Sequence, residues 1–535
     1  MSLVRNVGTI GALTMVSRIF GFARDMLLAR VLGAGLAADA FQLAFVLPNT
    51  FRRLFAEGAF SVAFVPMYTR ELADESGGEE VANRFASDVL SVFVWVLLGF
   101  SALAMLAMPG IVWLLASEFK SIPGKFDLAV TLSRITFPYL GLVSIVAMLS
   151  GVLNAHSKFA PGAIVPVLLN IVLITGIAVG YYLRLETGSD VSVAFSLAVA
   201  VASAGAVQLA YMAWATRRAG VKLKITAPRF TPEVKKLCLL ILPATFGAGV
   251  YQISQFVDTF FATSLEQGSL TLLKYADRLN QMPLGIVGIA LGTAILPMLA
   301  RHIQTGNAAE AQRLQTNAVE IGTLLTLPAA TALAVCAPAF VTAFFVGGKM
   351  TAADGGTMAN IVIALVAGLP SYVLVKVFQP AYFSREDTRT PVWISAGVLL
   401  INIAVNIAVV PIYGIVGLAG ATAFTSTLNV LTLYAILQKR GWFHFSAKLA
   451  GRIGRQLIAT AAMGAALWFA LPTMASRYGG SVIERVWSLS ALVGIGLVIY
   501  FGVAYVVGAI DKDLIAQLRR KRPAKAEDGS VNLSE

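Results

Sequence analysis

The sequence predicts an all-α polytopic membrane protein: about fourteen transmembrane helices, as two pseudo-symmetric six-helix lobes plus two C-terminal helices. Three observations predict it. Of 535 residues, 57% are hydrophobic and only 13% charged, which excludes an ordinary soluble globule. Stretches without Asp, Glu, Lys or Arg run over 89–117, 135–157, 159–183, 191–216, 321–348, 355–375, 456–476 and 486–510. Landmarks of the first half also recur in the second at nearly one offset. Pro66-Met67 matches Pro297-Met298 at 231, Pro138 matches Pro370 at 232, Pro161 matches Pro391 at 230, and Asn170 matches Asn402 at 232.

Taken in order, the first span runs from about Val7 to Leu32. It is too long for a signal peptide, carries internal arginines and lacks a small-x-small cleavage site, so it reads as a retained helix. It holds Arg18, Arg24 and Asp25; the second span, near 38–67, holds Asp39, Arg52, Arg53 and Glu57. Four charge-free runs supply the third to sixth spans. The seventh and eighth, near 236–264 and 270–300, carry Asp258 and then Lys274, Asp277 and Arg278. The run 391–438 is long enough for two spans with a tight turn around Pro411–Gly417. Barrel strands would be about 10 residues of alternating polarity, and these runs are not. The expected organisation is an N-lobe over 1–225, a C-lobe over 226–450, two additional helices over 451–511, and a cytoplasmic basic tail over 512–535.

Loop charge sets the orientation. With a cytoplasmic N-terminus, the cytoplasmic segments hold 26 Lys and Arg and the opposite loops six: Lys120, Lys125, Arg184, Lys349, Arg477 and Arg485. By the positive-inside rule both termini lie in the cytoplasm. The net charge of +13 is then topological, and no nucleic-acid role is expected. The tail Arg519–Lys525 reads as a solvated basic end that could touch anionic headgroups. Cys238 and Cys336 stand far apart in apolar context and read as core thiols. His156, His302 and His444 all sit in or beside predicted cytoplasmic loops, and no metal or nucleophile constellation can be built from them. An enzyme is therefore not expected. No Walker-type phosphate loop is present either.

The buried charges carry the functional reading. A charge at the bilayer centre costs at least ~2.5 kcal/mol on insertion scales, so such residues normally face a wet cavity and serve a pathway. Arg18, Arg24, Arg52, Arg53 and Arg278 outnumber the acids beside them, which favours an anionic passenger over a cationic drug. The guanidinium fork holds phosphate bidentately and keeps its proton. Arg53 and Glu57 stand at i and i+4 and can neutralise each other. Arg30, nearer the helix end, is expected to snorkel. A quieter cluster comprises Asp258, Asn402 and Asn406 at i and i+4, and Thr422 with Thr425. It would suit Na⁺ or a proton, or else form a hydrogen-bonded knot between helices. No other cofactor is expected.

The blocks SRIFGFARDMLLARVLGAGLAADAF (17–41), LPNTFRRLFAEGAFSVAFVPMY (47–68), GVLNAHSKFAPGAIVPVLLN (151–170), YADRLNQMPLGIVGIALGTAILP (275–297) and KVFQPAYFSREDTRTPV (376–392) closely resemble the bacterial MurJ (MviN) family of lipid II flippases. The resemblance implies movement of the peptidoglycan precursor from the inner to the outer leaflet of the bacterial cytoplasmic membrane by alternating access. It places Arg18, Arg24, Arg52, Arg53, Arg278 and Asp39 among the substrate-binding residues, Arg24, Asp25 and Glu57 at a gate, and the two helices over 451–511 along a groove for the lipid tail. Asp258, Asn402, Asn406 and Thr422 resemble a sodium site of part of the family, with asparagine in place of an acid. Implied partners are lipid II, membrane lipids and the cell-wall synthesis machinery. A flippase for another polyprenyl-diphosphate-linked oligosaccharide would want the same cations. A drug–cation antiporter would instead want acids, and a membrane scaffold would need no arginine-lined cavity.

Overall fold

The computed structural model describes residues 3–52, 60–73 and 78–509 and is helical throughout, with no strand among the described residues. Arg53, Glu57 and the tail over 512–535 lie outside them. Ten helical stretches are long and apolar enough to cross a membrane. The longest, Arg389–Lys439, is a hairpin of two spans. It breaks at Gly414 (φ 56, ψ −138), a conformation that a Cβ would strain, and Asn402 on one arm donates to Thr425 on the other at 3.1 Å. The charged helices Leu3–Leu32 and Pro232–Thr263, and the second span in its pieces Leu36–Arg52 and Phe60–Leu72, add to these. The total is compatible with fourteen.

The two halves repeat each other's irregularities as well as their lengths. The third span, Gly78–Leu106, is followed by a short helix, Met108–Leu115, with proline in its first turn. The ninth, Ala308–Val335, is followed likewise by Ala337–Phe344. The fourth span breaks between Lys125–Thr136 and Pro138–Ala155, and the tenth between Ala352–Val366 and Leu369–Phe383, at the matched Pro138 and Pro370. Proline lacks an N–H and clashes with the preceding turn, so it restarts a helix more easily than it continues one. The fifth and sixth spans, Ala160–Thr187 and Asp190–Arg218, form a tight pair against the first. The eighth span is Ser269–Pro283, a wider π-helical turn Leu284–Gly288, and Ile289–Gln304.

Packing differs between the two ends of the bundle. Toward the end opposite the termini, one continuous apolar core joins both halves, from Leu28, Phe41 and Leu132 to Leu270, Tyr275, Phe345 and Leu418. Toward the end that carries the termini, the cores are separate. Phe60, Phe64, Phe85 and Val152 form one, with Val234 and Leu237 of the seventh span. Leu299, Val377, Tyr382 and Leu433 form another. The halves are thus joined at one end and part toward the other.

The last two spans, Ala447–Ala470 and Val482–Val506, pack on each other and on the ninth. Buried Glu320 accepts from Arg452 at 2.6 Å, Gln456 bonds Thr323 at 2.8 Å, and the Tyr500 hydroxyl donates to the Leu324 carbonyl at 2.7 Å. Two expectations change. Lys125, counted as a loop cation, is 2% exposed and paired. Cys238 is exposed rather than a core thiol, whereas Cys336 is buried. Arg30, expected to snorkel, has a protein partner near its helix end, where its guanidinium donates to the Ala343 carbonyl at 3.0 Å.

Candidate functional site

The charges conspicuous in the sequence meet where the first and eighth spans cross. Arg24 donates Nε and Nη2 to Asp25 Oδ1 at 2.9 and 2.7 Å, and Nη1 to Asn170 Oδ1 of the fifth span at 2.9 Å. Asn170 passes its amide on to the Ser17 carbonyl at 3.1 Å, which fixes the orientation of the pair. The second carboxylate oxygen of Asp25 accepts from Arg278 Nε of the other half. Asp25 therefore bridges two guanidinium groups from opposite halves. Arg24 and Asp25 are buried, while the Arg278 side chain is 40% exposed and keeps donors for another partner.

Arg18 adds a third guanidinium. It lies against Gly285 in the π-helical turn, in the space a Cβ would take. Lys274 and Asp277, close by on the eighth span, carry opposite charges, and Asp277 is engaged by Gln281 and Asn280. Arg24 and Arg278 thus share one bridging carboxylate, and Arg18 beside Gly285 and Lys274 beside Asp277 leave an excess of positive charge where the first and eighth spans meet. At 4 Å and an effective dielectric near 20, each guanidinium would attract a phosphate charge by about 4 kcal/mol.

Arg52 ends the first described piece of the second span and donates to Asn49 Oδ1 at 3.3 and 3.2 Å. Sequence reasoning passed over Lys376. This exposed lysine of the tenth span lies along Gly288 and Gly292 of the eighth, and its position at the edge of a charge-free run hid it. It also passed over Asn170, singled out only as a repeat landmark.

Asp39 sits elsewhere, at the joined end. It is 2% exposed and its two oxygens accept four bonds: Lys125 Nζ at 2.9 Å, Gly268 N at 2.7 Å, Thr271 N at 3.1 Å and Thr271 Oγ1 at 2.8 Å. A carboxylate from the first half thus caps the N-terminus of Ser269–Pro283 in the second, where unpaired N–H groups and the helix dipole favour negative charge. Approach is close because Gly268 (φ 94) has no Cβ; one would stand 2.5 Å from the Ala34 carbonyl oxygen. Phe22 closes the same end with its edge on Phe344 and Phe345 at 5.0 and 5.8 Å. In this arrangement Asp39 latches the halves and is turned away from the open space around Arg278.

In the quieter cluster, Asn406 donates to Asn402 Oδ1 at 3.0 Å and Asn402 to Thr425 Oγ1 at 3.1 Å. Thr422 turns its hydroxyl to the Leu418 carbonyl of its own helix at 3.1 Å. One oxygen of Asn406 and one of Asp258 are buried without a partner among the described residues. The asparagines and Thr425 form a knot between the hairpin arms, and no bond joins Asp258 to them among the described residues.

The chain is similar to known proteins over nearly its full length. A family model described as lipid II flippase MurJ matches residues 28–486. A probable lipid II flippase MurJ of Rhizobium meliloti (strain 1021) is 41% identical over 535 residues, covering 99% of this chain and 98% of the relative. The lipid II flippase MurJ of Burkholderia cenocepacia is 32% identical over 521 residues, covering 95% and 98%. Among solved structures, a lipid II flippase MurJ in an inward closed conformation superposes with a TM-score of 0.75 at 24% identity, covering 95% of this chain and 99% of that one. An inward-facing multidrug resistance MATE family transporter of the MOP superfamily gives 0.67 at 13% identity, covering 81% and 97%. Fold, length and sequence agree: this multi-pass membrane protein belongs to the MurJ family of lipid II flippases, a family of transporters rather than enzymes.

Proposed function

We propose that the protein carries lipid II from the cytoplasmic to the periplasmic leaflet of the bacterial cytoplasmic membrane by alternating access, with both termini cytoplasmic. One observation carries this reading: Asp25 joins Arg24 and Arg278 across the two halves, in a zone of excess positive charge below a latched end. With the termini inside, the end where the cores separate faces the cytoplasm and the latched end faces the periplasm.

The diphosphate of the headgroup would enter from the open end and compete with Asp25 for the two guanidinium groups, with Arg18, Arg52, Arg53 and Lys376 as further donors. Its two phosphates bring more negative charge than the carboxylate they displace. The cross-half bridge would then pass from protein to substrate and loosen the contact that holds the present arrangement. Glu57 would act with Arg24 and Asp25 at the gate. The lobes over 1–225 and 226–450 would then rock, closing the cytoplasmic end and releasing the latch, and the helices over 451–511 would carry the polyprenyl tail. A membrane potential, negative inside, favours outward movement of an anion by ~2.3 kcal/mol per charge per 100 mV. Na⁺ or a proton at Asp258, Asn402, Asn406 and Thr422 would reset the empty carrier, and cell-wall synthesis enzymes would receive the product.

The test is outer-leaflet lipid II after acute depletion, with complementation by variants. Arg24→Ala and Arg278→Ala lose translocation at wild-type expression, and the Lys variants recover only part of it because the bidentate fork is gone. Normal translocation by both Ala variants would reject the reading. Unchanged outer-leaflet lipid II on depletion, with another polyprenyl-diphosphate sugar trapped inside, would transfer the role to that substrate.

A further inference from the structure

At the end of the bundle opposite the termini, Arg184, Lys349, Arg30 and Arg485 lie together with one paired acid, Asp190. Arg184 Nη1 donates to the Val31 carbonyl, and Arg184 and Lys349 share Asp190 at 3.3 and 3.0 Å. Beside them, Arg30 Nη2 and Arg485 Nη1 both donate to one oxygen, the carbonyl of Ala343, at 3.0 and 3.2 Å. Arg485 is clamped by two more carbonyls, those of Gly480 and Gly479, at 2.8 and 3.0 Å. Arg30 is held less fully: its Nε is buried without an acceptor among the described residues. Neither arginine forms an ion pair with a carboxylate among the described residues. The neighbouring acid, Glu484, is occupied in capping its own helix through Ser481 N and Oγ.

The bland alternative is that both cations merely cap a helix, since Ala343 lies in the last turn of Ala337–Phe344. A helix C-terminus carries only about half a negative charge, which one guanidinium more than balances. A second guanidinium on the same oxygen is therefore left in excess, and an unpartnered buried Nε adds a donor with nothing to donate to. The surroundings fix the level. Val482, Ile483 and Val486 are exposed, and Trp487 is exposed with Arg477 over its ring at 5.5 Å. Tryptophan and arginine beside bare aliphatic side chains mark the membrane–water boundary.

The geometry points to a lipid-phosphate site: Arg30 and Arg485 receive the phosphate of an anionic membrane lipid where the first, ninth and last spans converge. The guanidinium pair presents forked donors at headgroup depth, and the exposed aliphatic residues of the last span would lie along the acyl chains. The site uses none of the residues of the central cluster and does not depend on what that cluster carries.

Native mass spectrometry of the purified full chain tests it, with phosphatidylglycerol, phosphatidylcholine and inorganic diphosphate as probes. Phosphatidylglycerol is retained in preference to phosphatidylcholine. Arg30→Gln/Arg485→Gln weakens that retention by about tenfold or more, whereas Arg313→Gln, on an exposed helix face, leaves it unchanged. Arg30→Lys/Arg485→Lys keeps part of it. Displacement by inorganic diphosphate identifies the phosphate alone as the ligand, and resistance to displacement identifies the lipid. Equal retention of the two lipids, or unchanged phosphatidylglycerol binding in the Gln pair, overturns the site. If the Gln pair does not purify as a monodisperse protein, Arg30→Gln alone decides, and unchanged retention there overturns it equally.

Discussion

Replacing Asp39 with Asn should open the latched end, and the structure sets the size of the effect. Lys125 is 2% exposed and its ammonium pairs with Asp39 at 2.9 Å. Asparagine would strand that charge and turn an amide donor toward a site already filled by the N–H groups of Gly268 and Thr271. Removing one partner of a buried pair costs about 3–5 kcal/mol. That pair lies within the first half; what joins the halves is the bonds of Asp39 to Gly268 and Thr271, and weakening these charge-assisted bonds by about 1.5–3 kcal/mol reduces the population advantage of the closed arrangement by about tenfold or more. Lys125→Met alone should cost less, about 1–2 kcal/mol, because Asp39 keeps three donors from the eighth span. Adding Lys125→Met to Asp39→Asn should recover part of the loss, since no charge is then stranded. Spin labels at Lys120→Cys and Thr351→Cys, exposed residues at that end of the two halves, would report the opening by pulsed electron resonance. Exposed Cys238 must first become Ser, while Cys336 is buried. A distance distribution for Asp39→Asn identical to its parent, or a double variant more open than the single, would refute the reasoning.

Gly285→Val should push the Arg18 guanidinium from its seat and lower lipid II translocation several-fold while the melting temperature stays near wild type; unchanged translocation would remove Arg18 from the site. Arg452→Met leaves buried Glu320 unpaired and should cost about 3 kcal/mol, and Arg452→Met/Glu320→Gln less, both read by thermal unfolding. Burial works against the charge of Asp387, yet the Thr390 hydroxyl and amide and the Arg440 guanidinium outweigh it and hold the carboxyl at about 2. A depressed carboxyl stabilises fully above its ordinary range and loses that contribution as pH falls through the folded value. The melting temperatures of wild type and Asp387→Asn should therefore differ by a constant amount from pH 5 to pH 7 and converge toward pH 2. A gap that persists at pH 2 would refute the assignment.

The spans were legible because a membrane leaves few choices: backbone groups must be satisfied internally, so long apolar runs become helices. The repeat was legible because proline is punctuation, and Pro138 and Pro370 interrupt their spans at matching places. Arg18, Arg24 and Arg278 could be read because a charge in hydrocarbon stands out against its neighbours. Their partners were hidden for the converse reason. Asn170 is a neutral residue 146 positions from Arg24 and shows no signal until the helices pack. Lys125 looked like a loop cation, since nothing local says that Asp39, 86 residues away, draws it inside. Cys238 misled in the other direction: an apolar neighbourhood means burial in a soluble protein, but in a membrane it also describes a face turned to lipid.

The seventh span, fixed near its start to the apolar cluster around Phe64 and near its end in the core shared by both halves, would act as a leaf spring in the proposed rocking. A change in the angle between the halves would then flex this one helix, since sliding either anchorage would uncover apolar side chains. Its sequence between those anchorages, LPATFGAGV over 242–250, contains a proline and two glycines, the residues that soften a helix against bending. Stiffening that stretch with Gly247→Ala and Gly249→Ala would then slow turnover without altering which lipid is chosen.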